Sequence, residues 1–329
     1  MTLGVSIIIC CYNSAKRLSN TFAHLANQNV HDSISWEIVI VDNSSKDNTR
    51  QVIGDLLTNL PFKCPVKVVT ELQPGLSNAR RKGMNESKYE YIVFCDDDNW
   101  LSPNYVSEAF RILNENALCG IAGSKILPAF EIGKPKWFDD YEMYYSVGER
   151  FHSSGDVTHT AGSVLGAGMI TRKSIWQKIF QSNYKFLCVD RKGNNLSTGG
   201  DMEMCKIVRQ LNYRIYYSNV IHLKHFIPKE RLSLKYLKKN AFGVGMYYML
   251  IQPYHYLAKK DVAKRIWVKD FIYNLIILPK AFIHLLFFRR IKFMVDFNLQ
   301  LGKIYCLLSL RNQYLNNIEY IRSYYAGRK

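Results

Sequence analysis

The sequence predicts an α/β protein: a mostly parallel sheet with helices on both faces, followed by a basic helical C-terminal region. Three observations carry this reading. Short runs rich in Val and Ile recur through the first 125 residues, helical patterns fill the gaps between them, and the charge balance changes after residue 228. Strands buried on both faces read as unbroken apolar runs, and their alternation with helices marks parallel pairing.

Val5 to Cys10 is the first expected strand, Trp36 to Val41 the second, Val66 to Val69 the third and Tyr91 to Cys95 the fourth. Helices are expected over about residues 16–28, 48–60 and 76–85. The first apolar run is short and has no basic leader, so it reads as a strand and not as a signal peptide. Ligands in open α/β sheets bind at the carboxyl ends of the strands. Polar residues fall there: Tyr12 and Asn13, Asp42 and Asn43, and Asp96 to Asp98. Residues 126–228 are less regular, with glycine clusters (Gly162, Gly166, Gly168; Gly193, Gly199, Gly200) and the run Lys136-Trp137-Phe138. They are expected to complete a single domain over 1–228.

Residues 1–228 hold 25 basic and 22 acidic side chains, a net of +3, whereas 229–329 hold 19 and 5, a net of +14. The basic character belongs to the last third. Trp267 to Phe288 is apolar but interrupted by Lys269, Asp270, Asn274, Pro279, Lys280 and His284. A spanning helix needs roughly 20 predominantly apolar residues, and these interruptions argue against one. The expectation is a basic, aromatic-rich helix pair lying peripherally in the membrane interface. Lys259, Lys260, Lys264, Arg265, Arg289 and Arg290 would face anionic lipid. The alternative is an ordinary helical subdomain or a homo-oligomer interface. The eight cysteines form no CxxC pair, which predicts buried thiols in a reducing cytoplasm.

The strongest chemical signal is Asp96-Asp97-Asp98 directly after the fourth strand. Three adjacent carboxylates repel one another unless a cation joins them. Side chains two apart on an extended segment point the same way, so Asp96 and Asp98 can share a ligand while Asp97 turns elsewhere. Hard oxygen donors suit Mg2+ or Mn2+, which would also meet donor phosphates. Asp42 at the second strand end can bind a base or ribose, or simply cap a turn.

The segments VSIIICCYN (5–13), IVDNSSKDNT (40–49), GLSNARRKG (75–83) and YIVFCDDDNWL (91–101) resemble, in order, the motifs of family 2 glycosyltransferases of the bacterial surface-polysaccharide type. The resemblance covers roughly residues 3–228. It implies the GT-A fold, a mixed Rossmann-like sheet that binds nucleotide-diphosphate sugars, here with a C-terminal membrane-associating extension. It also implies nucleotide contacts from Tyr12, Asn13, Asp42, Asn43, Arg80 and Asp96. Asp98 would be the chief metal ligand, joined by Asp96. Cys11 stands where the family often has Pro, and Arg81 where it usually has Asn, which bears on donor contacts and not on the carboxylates.

Ser197 to Cys205 (STGGDMEMC) resembles the family's Gly-Glu-Asp-x-Glu-Leu element, with Gly200 in place of the first Glu. Asp201 is then the general base of an inverting transfer, taking the proton of the acceptor hydroxyl; the competing role is a helix cap. Glu203 either orients the acceptor or steadies the helix start. His225, before Ile227-Pro228 and Arg231, resembles the histidine that completes many GT-A metal sites, better than His222 does. Arg231 would stabilise the leaving diphosphate. Trp137 and Gly168 are candidates for the sugar and acceptor pocket, or for packing.

The expected activity is transfer of a sugar from a nucleotide-diphosphate donor to a glycan or lipid-linked acceptor at the inner face of the cell membrane. A relative that binds the donor without turnover is the alternative. Nucleic acid is not an expected partner, because the basic residues lie in an apolar region with no recognition motif. A dinucleotide oxidoreductase is excluded because no GxGxxG follows the first strand.

Overall fold

The computed structural model describes residues 2–188, 199–258, 261–288 and 290–326. Of the positions singled out above, Gly193, Ser197, Thr198, Lys259, Lys260 and Arg289 lie outside them. The contacts divide the chain into two compact units, one of Met1–Lys185 with Met204–Pro228, the other of Phe186–Glu203 with Lys229–Lys329.

In the first unit the elements run β1 (Thr2–Cys11), α1 (Leu18–Ala26), β2 (Trp36–Asp42), α2 (Thr49–Asn59), β3 (Val66–Thr70), α3 (Leu76–Glu86), β4 (Tyr89–Asp96), β5 (Asn99–Leu101), α4 (Tyr105–Glu115), β6 (Cys119–Phe130), β7 (Gly155–Asp156), β8 (Ile170–Arg172) and α5 (Lys173–Gln181). Helix α6 (Gly200–Gln210) begins in the second unit and continues into the first, and β9 (Arg214–Ile227) follows. The described strands form one mixed sheet in the order β3-β2-β1-β4-β8-β6-β9-β5, with β7 on β9. Strands β1, β2, β3 and β4 pair in parallel, as the Val/Ile runs predict. Val5, Ile7, Ile8 and Ile9 of β1 are buried, and α1 and α4 bury residues at helical spacing, such as Leu18, Phe22 and Leu25 or Val106, Ala109 and Leu113.

Register decides the rest. Cys11 lies opposite Asp42, and Cys10 opposite Asp96. The carboxyl ends of β1, β2 and β4 therefore finish level, and their loops share one rim of the sheet. The less regular stretch contains a long strand, β9, that the sequence did not announce. Strand β9 runs 14 residues parallel to β6, burying Ile215, Tyr217, Ile221 and Leu223 around a register shift near Ser218–His222. Strand β5 pairs antiparallel with β9 so that Asn99 faces His225.

The helices of the second unit are α7 (Leu234–Ile251), α8 (Ala263–Phe288), α9 (Ile291–Ser309) and α10 (Arg311–Ala326), with 3₁₀ turns at Lys229–Arg231 and Gln252–Tyr256. Ser233 caps α7 by accepting the Tyr236 N–H at 3.2 Å. Helix α8 is continuous for 26 residues and contains Pro279. By length and composition alone, Ala263–Phe287 is long and apolar enough to cross a membrane despite its polar residues. Asp270 and Asn274 lie on the inward face, whereas Lys269 and Lys280 are exposed. Asp270 accepts from the Tyr256 hydroxyl at 2.8 Å and from the Tyr314 hydroxyl, and the amides of Asn274 and Gln300 bond at 2.8 Å.

Helices α7 and α9 cross with their backbones in contact. A Cβ on Gly245 would meet the Leu299 carbonyl oxygen at 1.9 Å, and one on Gly302 the Phe242 carbonyl oxygen at 2.0 Å. Neither helix can accommodate a side chain there without moving the other. Gly302→Leu is expected to lower unfolding free energy by about 3 kcal/mol or more. Gly54→Ala, in open space on α2, is expected to raise it by roughly 0.5–1 kcal/mol. Denaturant titration of both variants measures the contrast.

Candidate active site

The rim is built from three loops tied by side chains. After β1 the chain turns at Asn13, which has a left-handed φ of 49°. Its N–H donates to Ser45 Oγ at 3.1 Å and its Oδ1 accepts the Lys46 N–H at 2.8 Å. Asp42 is buried, and its Oδ1 accepts the Ser45 N–H at 3.2 Å. Asn43 donates both amide hydrogens to the Glu71 and Gln73 carbonyls and accepts the Gly75 N–H at 2.8 Å. That amide braces the 71–75 loop.

Asp97 turns away from its neighbours, as the alternation predicts. Its carboxylate accepts from Ser14 Oγ and from the Arg17 guanidinium at 2.5 Å, and its carbonyl accepts from Thr21 Oγ1 at 2.9 Å. Ser14 Oγ in turn accepts the Tyr12 N–H at 2.9 Å. Asp97 thereby fastens the acidic turn to the Tyr12–Asn13 loop. Sequence reasoning missed Ser14, Arg17 and Thr21, because a Ser, an Arg and a Thr at the start of a helix are common there for local reasons. Burial and Asp98 push the Asp97 carboxyl up, while Arg17 and Ser14 pull it back.

Asp96 and Asp98 face different surroundings. Asp96 is partly solvent-exposed and lies 3.8 Å from the Arg80 guanidinium, which packs over the Phe94 ring. Its carboxyl is pushed up by desolvation and by Asp98 and Asp97, against the pull of Arg80. Asp98 is buried, with Oδ1 accepting from the Asn99 amide at 3.2 Å and Oδ2 3.5 Å from His225 Nε2. Strand pairing accounts for that meeting, since His225 lies opposite Asn99 and the Phe226 N–H donates to the Asp98 carbonyl at 2.9 Å. Nδ1 of His225 is buried with no hydrogen-bond partner among the described residues. The His222 carbonyl instead accepts the Ser102 N–H.

Among the described residues, no group of three His, Cys, Asp or Glu side chains forms a ready-made metal cluster. Asp98 and His225 converge, and Asp96 is turned to Arg80. Mg2+ and similar cations are often held by one or two carboxylates plus substrate phosphates, so a site with only two protein donors still fits the donor chemistry of such a cation.

Trp137 is half-buried in an aromatic group with Phe138, Tyr141 and Tyr145. Gly168 has a φ of +67°, its carbonyl accepts from the Tyr105 hydroxyl at 2.7 Å, and a Cβ there would meet Leu223 and Tyr105 at 2.4 Å. The left-handed φ and the close packing call for a glycine at this position. Asp201, Glu203 and Arg231 belong to the second unit. Asp201 lies in the first turn of α6, where its Oδ1 accepts the Met202 N–H at 2.9 Å. Glu203 is fully buried, accepting the Leu187 N–H at 2.7 Å, the Cys188 N–H at 2.8 Å and the Tyr254 hydroxyl at 3.1 Å. These bonds tie the first turn of α6 to the Leu187–Cys188 backbone and to Tyr254.

The sequence profile described as glycosyl transferase family 2 matches residues 6–180, a little over half the chain. The chain belongs to that family. Over 111 residues it is 30% identical to the poly-beta-1,6-N-acetyl-D-glucosamine synthase of Staphylococcus epidermidis, covering 33% of this chain and 26% of that one. It is 32% identical over 95 residues to the cholesterol galactosyltransferase of Borreliella burgdorferi, covering 29% and 25%. To the chondroitin synthase of Escherichia coli it is 31% identical over 113 residues, covering 33% and 16%. The matched stretch thus spans about a quarter or less of those relatives. Among solved structures, S. aureus TarS 1–349 in complex with UDP-GlcNAc shares the fold with a TM-score of 0.51 at 15% identity, covering 99% of this family 2 chain and 93% of that one.

Two measurements probe the site's framework. Asp97→Ala removes the partner of a mostly buried guanidinium. It is expected to lower stability by about 2 kcal/mol and to raise the donor KM more than it lowers kcat, as read by denaturation and initial rates. Burial pushes the Glu203 carboxyl from its ordinary 4.5 up to about 7, against the pull of its three donors. The folded chain favours the protonated form, so this stabilisation is full below pH 4.5 and lost as pH rises through 7. The unfolding free energy of the parent, taken relative to Glu203→Gln, is expected to fall by about 3 kcal/mol across that window in denaturant titrations.

Proposed function

We propose that this chain is an inverting, cation-dependent glycosyltransferase with GT-A organisation, transferring a sugar from a nucleotide-diphosphate donor to a hydroxyl of a glycan or lipid-linked acceptor in surface polysaccharide synthesis. The observation that carries the reading is the level ending of β1, β2 and β4, which gathers Tyr12, Asp42, Asp96 and Asp98 on one rim with His225 beside Asp98. A nucleotide needs acceptors for its ribose and base, and its diphosphate needs positive charge close by. Asp42 supplies the first. Arg80 contributes to the second, and Asp98 and His225 would hold the Mg2+ or Mn2+.

The reaction is a single displacement. The acceptor oxygen forms a bond to the anomeric carbon as the bond from that carbon to the diphosphate oxygen breaks, and the hydroxyl proton passes to the Asp201 carboxylate. A divalent cation held by Asp98 and His225 would supply positive charge for the departing diphosphate. Arg231 is proposed to add to that stabilisation. Asp201 and Arg231 take these roles from the family motif, and the acidic first turn of α6 suits a carboxylate held ready. Eight free thiols, six of them buried, fit a cytoplasmic enzyme, proposed to act peripherally at the inner face of the membrane.

Nucleoside diphosphate release with donor, acceptor and Mn2+ tests the reading. Asp98→Ala and Asp201→Asn are each expected to lower kcat at least about 100-fold, with donor binding retained in Asp201→Asn. Unchanged turnover in either variant contradicts the mechanism, and donor binding by the parent without turnover on any acceptor contradicts the enzyme.

A further inference from the structure

Helix α8 has two faces of opposite character. Inward, Asp270 is held by the hydroxyls of Tyr256 and Tyr314, and Asn274 by Gln300 on α9. Outward, Ile272, Ile276, Phe282, Ile283, Leu286 and Phe287 are exposed, Ile276 at 70% and Phe287 at 79%. They follow helical spacing, so they form one stripe about 23 Å long at 1.5 Å per residue. An exposed apolar surface of this extent on a folded protein marks something that covers it.

We propose that this stripe is the surface by which the chain docks in the plane of an anionic lipid leaflet. Charge selects the occupant. Lys264 and Arg265 are exposed at the start of the helix, Lys280 within the stripe and Arg290 just past its end. The one acidic residue of α8, Asp270, is on the inward side. A second copy of this chain laid on the stripe would bring like charges together, whereas a leaflet of anionic headgroups meets them with opposite charge. Lys280 can bury its stem among the acyl chains and extend its ammonium to the headgroups. The inward hydrogen bonds select the depth. A spanning α8 would have to leave α9 and α10 and carry Asp270 and Asn274 into hydrocarbon stripped of Tyr314 and Gln300. Lying on the leaflet keeps each of those bonds. This places the membrane contact on one helix face, and it stands whether or not the proposed reaction is correct.

Flotation of the full chain with vesicles tests the proposal. The parent is expected to float with phosphatidylcholine vesicles containing 30 mol % phosphatidylglycerol, roughly tenfold more than with phosphatidylcholine alone, and to be released by high salt. Ile276→Glu with Phe287→Glu is expected to lower flotation at least about tenfold. Both side chains are exposed, so the far-UV spectrum and melting temperature stay as in the parent. Lys264→Glu with Arg265→Glu is expected to lose the preference for phosphatidylglycerol. Three results overturn the proposal: equal flotation of parent and Ile276→Glu/Phe287→Glu, a bound fraction resisting alkaline carbonate, or no flotation together with a dimer that the double variant dissociates.

Discussion

Parallel pairing of β1 with both β2 and β4 constrains everything chemical in the first unit. The middle of each strand is lined mostly with buried aliphatic side chains, and the polar residues of the rim follow at its carboxyl end. Because Cys11 is level with Asp42 and Cys10 with Asp96, those polar residues arrive at one height. A one-residue slip of β4 would turn Asp96 and Asp98 to the opposite side and exchange their environments. The loops add little independent order. They are strapped together by Asn13 across to Lys46 and by Asp97 across to Ser14 and Arg17. The acidic turn is thus divided by function, with Asp97 bound to protein and Asp96 and Asp98 turned to Arg80 and His225.

The second unit solves a different problem, how to keep an apolar helix in an aqueous protein. Backbone contact between α7 and α9 at Gly245 and Gly302 makes a tight pair. Helix α8 is held by hydrogen bonds to Asp270 from Tyr256 and from Tyr314 of α10, and to Asn274 from Gln300 of α9, rather than by burial of its whole circumference. Glu203 links the Leu187–Cys188 backbone to Tyr254 within the same unit. A buried carboxylate facing three donors is costly to ionise and costly to remove, so it fixes the start of α6, where Asp201 lies.

Apolar runs made β1, β2, β3 and β4 legible, since strands covered on both faces leave no ambiguity of period. The three carboxylates after β4 were legible for the same reason, as a charge cluster at the end of a buried run has few structural uses. Strand β9 was not legible, because Ser218, Asn219, His222 and Lys224 interrupt its apolar residues and only pairing with β6 and β5 gives it order. His225 was found through family motif alone, and strand register explains its place. For Asn43, Gly168 and Glu203 the sequence did not reveal the hydrogen bonds and close packing that each makes within the protein. The polar residues of α8 read as interruptions because a sequence does not say which way each faces.

Anomalous diffraction from Mn2+ in crystals grown with a nucleoside diphosphate tests the central claim most directly. The account predicts one strong manganese peak in contact with Asp98 and the diphosphate, with the nucleoside against the Tyr12–Asn13 loop and Asp42. A nucleotide bound away from the carboxyl ends of β1, β2 and β4, or manganese bound without Asp98, would contradict it.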